Sequence, residues 1–224
     1  MRHRASPRCR ETVTRRQNGA VTTEVYQIPF GVDLAAVGIG AIQGAMFAGR
    51  IKDRQIDMFG VAIIGILTGF GGGIIRGLLL AQIPMALQNN WYLVVATGCA
   101  LLGMALQSVF HRLNWLITGL DAITIGLFGA LGTTAALAVS LPVLPAIFVG
   151  IASAVGGGML RDLFLNQPIA VMHVGSLYAV AAGIGCAGLV VSVSAGAPVG
   201  VAGTICVALT FIIRIASVRF GLYV

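Results

Sequence analysis

Charged residues are scarce in this sequence. They make up 9% of its 224 residues, whereas soluble proteins carry about 25%. Hydrophobic residues make up 58%, and the mean hydropathy is +0.96. A soluble chain of this length leaves roughly a quarter to a third of its extended surface exposed after folding, so it could not bury this much apolar sequence. The composition therefore excludes a soluble globular domain and indicates an integral membrane protein.

The sequence also lacks the residue clusters that metal binding and catalysis require. Its cysteines and histidines are scattered along the chain: Cys9, Cys99, Cys186, Cys206, His3, His111 and His173. No helix presents a nucleophile beside a base, or ligands at metal-binding spacing. We therefore expect no disulfide framework, no metal site, no cofactor and no enzymatic activity.

The net charge of +7 does not predict nucleic-acid binding, because much of it comes from the first 28 residues, which hold six arginines and two glutamates. Most of the other basic residues lie beside the ends of apolar runs. Basic residues in that position meet anionic lipid headgroups or mark the cytoplasmic side of a membrane. We expect the lipid bilayer, including anionic lipids, as the partner, and not nucleic acid.

Seven apolar runs follow one another, and each can cross a bilayer. They cover residues 30–49, 57–81, 91–110, 115–140, 144–165, 173–194 and 198–218. The segments between them are short, so no extramembrane domain is expected. The sequence predicts an all-α membrane protein with about seven transmembrane helices, preceded by a polar tail at residues 1–28 that we expect to be disordered.

An odd number of helices brings basic residues together on one side of the membrane. These are Arg50, Lys52, Arg54, Arg112, Arg161 and Arg219. The positive-inside rule makes that side, and the C-terminus with it, cytoplasmic. The arginines of the tail argue for the opposite orientation, but we give the loops more weight because the tail has no apolar periodicity.

An internal repeat is the most informative feature of the sequence. The second helix holds Gly-Gly-Gly-Ile-Ile-Arg at residues 71–76, and the fifth holds Gly-Gly-Gly-Met-Leu-Arg at residues 156–161, an offset of 85 residues. Further pairs repeat at nearly the same offset: Asp33 and Asp121, Gly44 and Gly132, and Pro84 and Pro168. Each unit contains three helices, an odd number, so the second must enter the membrane from the opposite face.

This arrangement divides the chain into inverted repeats of three helices each. The first repeat covers residues 29–112 and the second covers residues 113–195. The seventh helix and the C-terminus, residues 196–224, lie outside the repeat.

The glycine triplets allow two interpretations. Each glycine costs about 1 kcal/mol relative to alanine in a helix interior. Glycine can permit close helix packing, which explains Gly40 and Gly44 in the first helix. Because the triplet occurs twice, each time with an arginine and a proline beyond it, we favour helix breaks instead. The glycines at the breaks are Gly71, Gly72, Gly73, Gly156, Gly157 and Gly158. Their exposed carbonyl oxygens would face an aqueous pathway and bind a partly dehydrated monovalent cation.

Arg76 and Arg161 follow the triplets at a depth where a charge needs a partner or water. In the inverted arrangement, Arg76 can pair with Asp33, and Arg161 with Asp121. The aspartates can instead cap helix N-termini, and the arginines can extend toward the membrane surface. If the arginines line the pathway, they act as a gate and not as a cation site.

The GGGxxR and GGGxxRD motifs, the aspartate-started first and fourth helices and the following prolines resemble the TRIC family of trimeric intracellular cation channels. They resemble equally the related bacterial proteins labelled as glycine transporters. The resemblance covers about residues 30–220. It implies inverted repeats, kinked second and fifth helices that line a pore in each protomer, and a homotrimer in a bacterial inner (plasma) membrane. Potassium and sodium would be the permeant ions, and Arg76, Arg161 and Asp162 the polar residues of the motif.

The sequence departs from the family pattern at Gly77, where aspartate usually follows the arginine, and at Thr133 and Thr134, where a basic residue is often found. The halves are therefore electrostatically unequal, and the threonines argue against a voltage response like that of animal members. A passive monovalent cation channel is the favoured function. The alternative is a secondary transporter for glycine or a similar small solute, which would use the same broken helices.

Overall fold

The computed structural model describes residues 29–51, 56–109, 114–172 and 177–220. This part of the chain forms seven long helices. They are α1 (Phe30–Ala48), α2 (Met58–Leu79), α3 (Asn90–Val109), α4 (Asn114–Ala138), α5 (Val143–Phe164), α6 (Tyr178–Ser194) and α7 (Val199–Phe220). One helical turn, Met85–Gln88, precedes α3, and a 3₁₀ turn, Ala170–Met172, follows α5. The predicted polar tail and the loop residues Lys52, Arg54 and Arg112 lie outside the described residues.

Six of the helices are long and apolar enough to cross a membrane, and α6 is a shorter apolar helix of 17 residues. A transmembrane helix needs about 17–25 residues, so α6 is at the lower end of that range. The predicted all-α membrane architecture is therefore confirmed. The helix bounds lie within a few residues of the predicted apolar runs, and only α6 begins noticeably later, at Tyr178 instead of residue 173.

Helices α2 and α5 end in the same way, as the repeat predicts. In α2, the Gln82 N–H donates to the Gly77 carbonyl at 2.8 Å, and in α5 the Gln167 N–H donates to the Asp162 carbonyl at 2.8 Å. The residue before each glutamine has a positive φ, 52° at Ala81 and 49° at Asn166. These are the hydrogen bonds and the left-handed residue that terminate many helices, and the predicted prolines follow them.

The helices pack in two similar groups. Helix α1 contacts α2 and α3, while α4 contacts α5 and α6. The groups meet mainly where α2 contacts α5. Helix α7 packs against α4 and α6, outside the second group. The division into repeats at residues 29–112 and 113–195 remains a prediction that is consistent with these contacts.

The predicted helix breaks are wrong, because α2 and α5 run without interruption through both triplets. The triplet residues concerned are Gly71, Gly72, Gly73, Gly156, Gly157 and Gly158. Their backbone groups belong to continuous helix, so they do not form a ring of free carbonyl oxygens around an ion.

Close contact between α2 and α5 gives the physical reason for the glycines. A Cβ atom on Gly71 would lie 2.6 Å from the Cα atom of Gly157, and one on Gly72 would lie 2.6 Å from the Ser153 carbonyl oxygen. A Cβ atom on Gly157 would collide with the Thr68 carbonyl oxygen. The Ser153 hydroxyl donates to the Gly72 carbonyl at 3.1 Å and adds a polar contact. The triplets therefore let two backbones touch, which is the packing role that small residues have in membranes.

The same explanation holds inside each group of helices. A Cβ atom on Gly40 would lie 3.1 Å from the Gly69 Cα atom, and one on Gly44 would collide with Thr68. In the second group, a Cβ atom on Gly132 would lie 2.7 Å from the Ser153 Cβ atom. The packing role predicted for Gly40 and Gly44 is confirmed.

Alanine substitutions within the first triplet can separate packing from conformational freedom. Gly71→Ala places a methyl group against Gly157, and overpacking of this kind costs about 1–3 kcal/mol. At Gly73, no described atom lies within 4 Å of the added Cβ atom. We expect Gly71→Ala to lower the melting temperature, by about 2–4 °C per kcal/mol in a chain of this size. Gly73→Ala should leave it unchanged or raise it, because alanine favours helix.

Differential scanning fluorimetry of detergent-purified, monodisperse protein measures this difference, and Gly157→Ala tests it from the facing helix. An equal loss of stability in Gly73→Ala and Gly71→Ala would show that the glycines act through something other than contact.

Candidate functional site

Asp33, Arg76 and Tyr92 form the first charge cluster, at the end of the helix bundle where α1 begins. Arg76 Nη2 lies 3.1 Å from Asp33 Oδ1, and the Tyr92 hydroxyl donates to Asp33 Oδ2 at 2.7 Å. Arg76 is 6% exposed and Asp33 is 3% exposed. Both carboxylate oxygens therefore accept a hydrogen bond inside the protein, which offsets part of the cost of burying the charges.

The second charge cluster is larger and lies at the other end of the bundle. It consists of Asp121 from α4, Arg161 and Asp162 from α5, Tyr178 from α6 and Arg214 from α7. Arg161 Nε and Nη2 both lie 2.8 Å from Asp162 Oδ1, and Arg161 Nη1 lies 3.5 Å from Asp121 Oδ1. Asp121 Oδ1 also accepts from the Tyr178 hydroxyl at 3.1 Å.

Further groups complete the second cluster. Arg214 Nη2 lies 3.5 Å from Asp121 Oδ2, and Gln43 Nε2 of α1 donates to Asp121 Oδ1 at 3.2 Å. The guanidinium carbon of Arg161 is 4.0 Å from the ring centroid of Phe47, and that of Arg214 is 4.6 Å from the ring centroid of Tyr178. Aromatic faces at this distance attract a cation, so they stabilise the two buried arginines.

The structure brings both predicted ion pairs together, Asp33 with Arg76 and Asp121 with Arg161. It does not place the aspartates as helix caps. The cap position of α1 is Pro29, without a side-chain hydrogen bond. Asp121 lies seven residues inside α4, so the expectation that it begins the fourth helix is wrong. Both arginine side chains are buried within the protein, where they bind aspartates.

The tyrosines of the two clusters are residues that sequence reasoning missed. Tyr92 and Tyr178 are 86 residues apart, which is within the range of offsets shown by the repeat. Each donates its hydroxyl hydrogen to the aspartate of its own cluster. Extending the repeat alignment past the prolines would therefore have identified an aspartate, an arginine and a tyrosine in each half.

Arg214 was missed for a different reason, because α7 has no counterpart in the repeat. The signal was its position inside the apolar run at residues 198–218, since charged residues within membrane helices are usually functional or paired. Gln43 carried no comparable signal. Asp162, which the motif did predict, binds Arg161 and also accepts from the Ala170 backbone N–H at 3.0 Å.

The two clusters lie on opposite sides of the α2–α5 crossing. Arg76 follows Gly71 in α2, and Arg161 follows Gly157 in α5, but the two helices run in opposite directions, since Gly71 faces Leu160 whereas Ile75 faces Gly156. Helix α1 spans the distance between the clusters, with Asp33 in the first cluster and Gln43 in contact with the second. Ten residues of α-helix rise about 15 Å, so the clusters are separated by roughly half of the hydrocarbon core.

A cavity of about 190 Å³ opens beside the second cluster. Its walls include Gln43, Asp121, Arg161, Tyr178 and Arg214. The volume can hold several water molecules or a small ion with part of its hydration shell. These carboxylate, guanidinium, amide and hydroxyl groups offer charge pairing and hydrogen bonding. Within the described ranges, no group of three or more histidine, cysteine, aspartate or glutamate residues could hold a metal ion.

The sequence is similar to one known protein family and to bacterial membrane proteins. The sequence model of a family described as glycine transporter matches residues 30–108 and again residues 118–194. A UPF0126 membrane protein of Deinococcus radiodurans is 37% identical over 156 residues, which are 69% of this chain and 71% of the relative. The UPF0126 inner membrane protein YadS of Escherichia coli strain K12 is 29% identical over 198 residues, 86% of this chain and 93% of YadS.

Comparison with solved structures identifies TRIC channels. The TRIC trimeric intracellular cation channel orthologue from Rhodobacter sphaeroides superposes with a TM-score of 0.78 and 30% identity, over 85% of this chain and 97% of that one. A second TRIC cation channel, from a study of conductance, superposes with a TM-score of 0.76 and 29% identity, over 88% and 96% of the two chains. The chain is therefore a membrane protein that belongs to the family described as glycine transporter and has the fold of the TRIC cation channels.

Proposed function

We propose that the protein is a channel for the monovalent cations potassium and sodium, with one pathway in each protomer. The observation that carries the proposal is the pair of buried charge clusters on opposite sides of the α2–α5 crossing. Ionisable residues in the membrane interior are costly and typically mark ion pathways. The superposition on two TRIC cation channels over nearly their whole length supports the same function.

Side chains, and not broken backbone, line the proposed pathway. Asp33 and Asp121 supply the carboxylate oxygens that would face a cation at the two ends. In the structure both carboxylates are occupied by arginine and tyrosine, and α2 touches α5 between them. This arrangement corresponds to a closed pathway. Conduction would require α2 and α5 to shift at the glycine contact and an arginine to leave its aspartate.

A secondary transporter for glycine is the second candidate. The observation in its favour is the cavity beside the second cluster, whose walls carry the carboxylate of Asp121 and the guanidinium groups of Arg161 and Arg214. A zwitterionic amino acid needs both charges in one small site. The description of the matching family points to the same solute.

The remaining parts of the proposal concern assembly and location. A homotrimer in a bacterial inner membrane is consistent with the trimeric name of the Rhodobacter sphaeroides relative and with the inner-membrane name of YadS, and we place the C-terminus in the cytoplasm. Arg219 in the last turn of α7 is a basic residue of the kind that marks the cytoplasmic side. We also propose that the protein is not an enzyme and carries no cofactor.

Reconstitution into liposomes distinguishes the two candidates. With an outward potassium gradient, a channel should generate a potential that a voltage-sensitive dye reports, and planar bilayers should show unitary potassium currents. Labelled glycine should not accumulate above the level of empty liposomes. Saturable glycine uptake without unitary currents would instead establish the transporter.

Removing one carboxylate from either cluster should weaken the preference for cations. We expect Asp33→Asn and Asp121→Asn each to lower the potassium-to-chloride permeability ratio about tenfold, which corresponds to about 1.4 kcal/mol. Reversal potentials in a potassium chloride gradient measure this ratio. Asp33→Glu and Asp121→Glu retain the charge and should retain the preference.

Asp57→Asn is the matched control for this experiment. Asp57 caps α2 by accepting from the Gly60 N–H at 2.8 Å, outside both clusters, and asparagine caps helices almost as well. An equal fall in the permeability ratio in Asp57→Asn would mean that general surface charge, and not the clusters, sets selectivity.

A further inference from the structure

Arg214 is the one arginine of the described clusters that the inverted repeat does not supply. It comes from α7, which packs against α4 and α6, and it is 7% exposed. In the first cluster, the described residues around Asp33 include Arg76 and Tyr92 but no second cation. The second cluster therefore contains an additional positive charge at the position facing Asp121.

The contacts of Arg214 hold it loosely. Its Nη2 atom lies 3.5 Å from Asp121 Oδ2, whereas well-formed charge-assisted hydrogen bonds measure about 2.7–2.9 Å. Its Nε atom has no hydrogen-bond partner among the described residues. The guanidinium lies over the Tyr178 ring and on the wall of the cavity of about 190 Å³, so there is space into which the side chain can move.

The charge balance of the second cluster depends on the Arg214 guanidinium. Without Arg214, the carboxylates of Asp121 and Asp162 would face the single positive charge of Arg161, and the cluster would carry a net charge of about −1. A buried site with one excess negative charge attracts a monovalent cation. Asp162 is already satisfied by Arg161 and the Ala170 N–H, so the excess charge would be at Asp121.

We propose that Arg214 is a tethered cation that occupies a permeant-ion site at Asp121 and limits cation passage at this end of the pathway. The inference rests on the proposed cation-channel function. It assigns control of cation passage at this end to a residue of α7. A permeating cation takes the place of the guanidinium at Asp121, and the guanidinium returns when the cation has left. Arg214 thus competes with the ion for one carboxylate.

Removal of the tethered charge should open the site. We expect Arg214→Ala to raise potassium flux into liposomes about tenfold, equivalent to lowering the barrier by about 1.4 kcal/mol. Millimolar guanidinium added to Arg214→Ala should return the flux toward the wild-type level, because the free ion fits where the side chain was. Arg214→Lys keeps a tethered cation and should keep the low flux. Guanidinium should have little effect on the wild-type protein.

Arg219→Ala is the matched control, because it removes an exposed positive charge from the same end of α7 outside the cluster. If Arg214→Ala does not elute as a single species, Arg214→Gln, which also removes the charge, takes its place. Unchanged or lower potassium flux in the variant, or an equal rise in Arg219→Ala, overturns the inference. Insensitivity of the variant to guanidinium overturns it as well.

A second measurement does not depend on transport. Potassium should raise the melting temperature of Arg214→Ala relative to N-methylglucamine at equal ionic strength, because it binds the vacated site, and should raise that of the wild type less. Potassium stabilisation without flux in any variant would support the site and contradict the channel. If Arg214→Ala conducts potassium but shows neither the additional stabilisation by potassium nor a block by guanidinium, the channel is supported and the tethered cation is contradicted.

Discussion

The contact between the backbones of α2 and α5 is the constraint on which the rest of the structure depends. Gly71 and Gly157 meet without side chains between them, and Ser153 binds the Gly72 carbonyl across the contact. Two groups of three helices are joined mainly at this crossing. Within each group, the arginine that follows the triplet binds the aspartate of the neighbouring helix, so the two charge clusters lie on opposite sides of the crossing.

Burial of charge is the second constraint, and it explains the composition of each cluster. An isolated ion in a low-dielectric interior costs many kcal/mol, so each buried charge must have a counter-charge and hydrogen bonds. Asp33 binds one arginine and one tyrosine, and Asp121 binds two arginines, a tyrosine and a glutamine. The tyrosines donate without adding charge, which lets them complete a carboxylate site and leave its charge balance unchanged.

The sequence was sufficient for the helices and the predicted ion pairs, because apolar length sets the spans and an odd-numbered repeat fixes which helix ends share a face. The sequence was not sufficient to predict the structural role of the glycine triplets. Glycine weakens a helix and also permits contact, and only the position of the facing helix decides between these effects. At Gly157 the facing group is the Thr68 carbonyl oxygen, a contact across distant segments that no local pattern reveals. The apolar run at residues 115–140 already placed the start of α4 before Asp121, so the expectation that Asp121 begins that helix came from matching it with Asp33 in the repeat.

The two repeats carry unequal charges, and the composition of the two clusters explains why. The second repeat has Asp162 where the first has Gly77, which alone would leave one excess negative charge in a buried site. Arg214 supplies the compensating positive charge from outside the repeat. Each cluster is then formally neutral, with one carboxylate per guanidinium. A strictly two-fold protein would present the same charges to an ion at both faces. Here the compensation comes from a separate helix, so the charge at one face can change without any change in the α2–α5 contact that holds the two halves together.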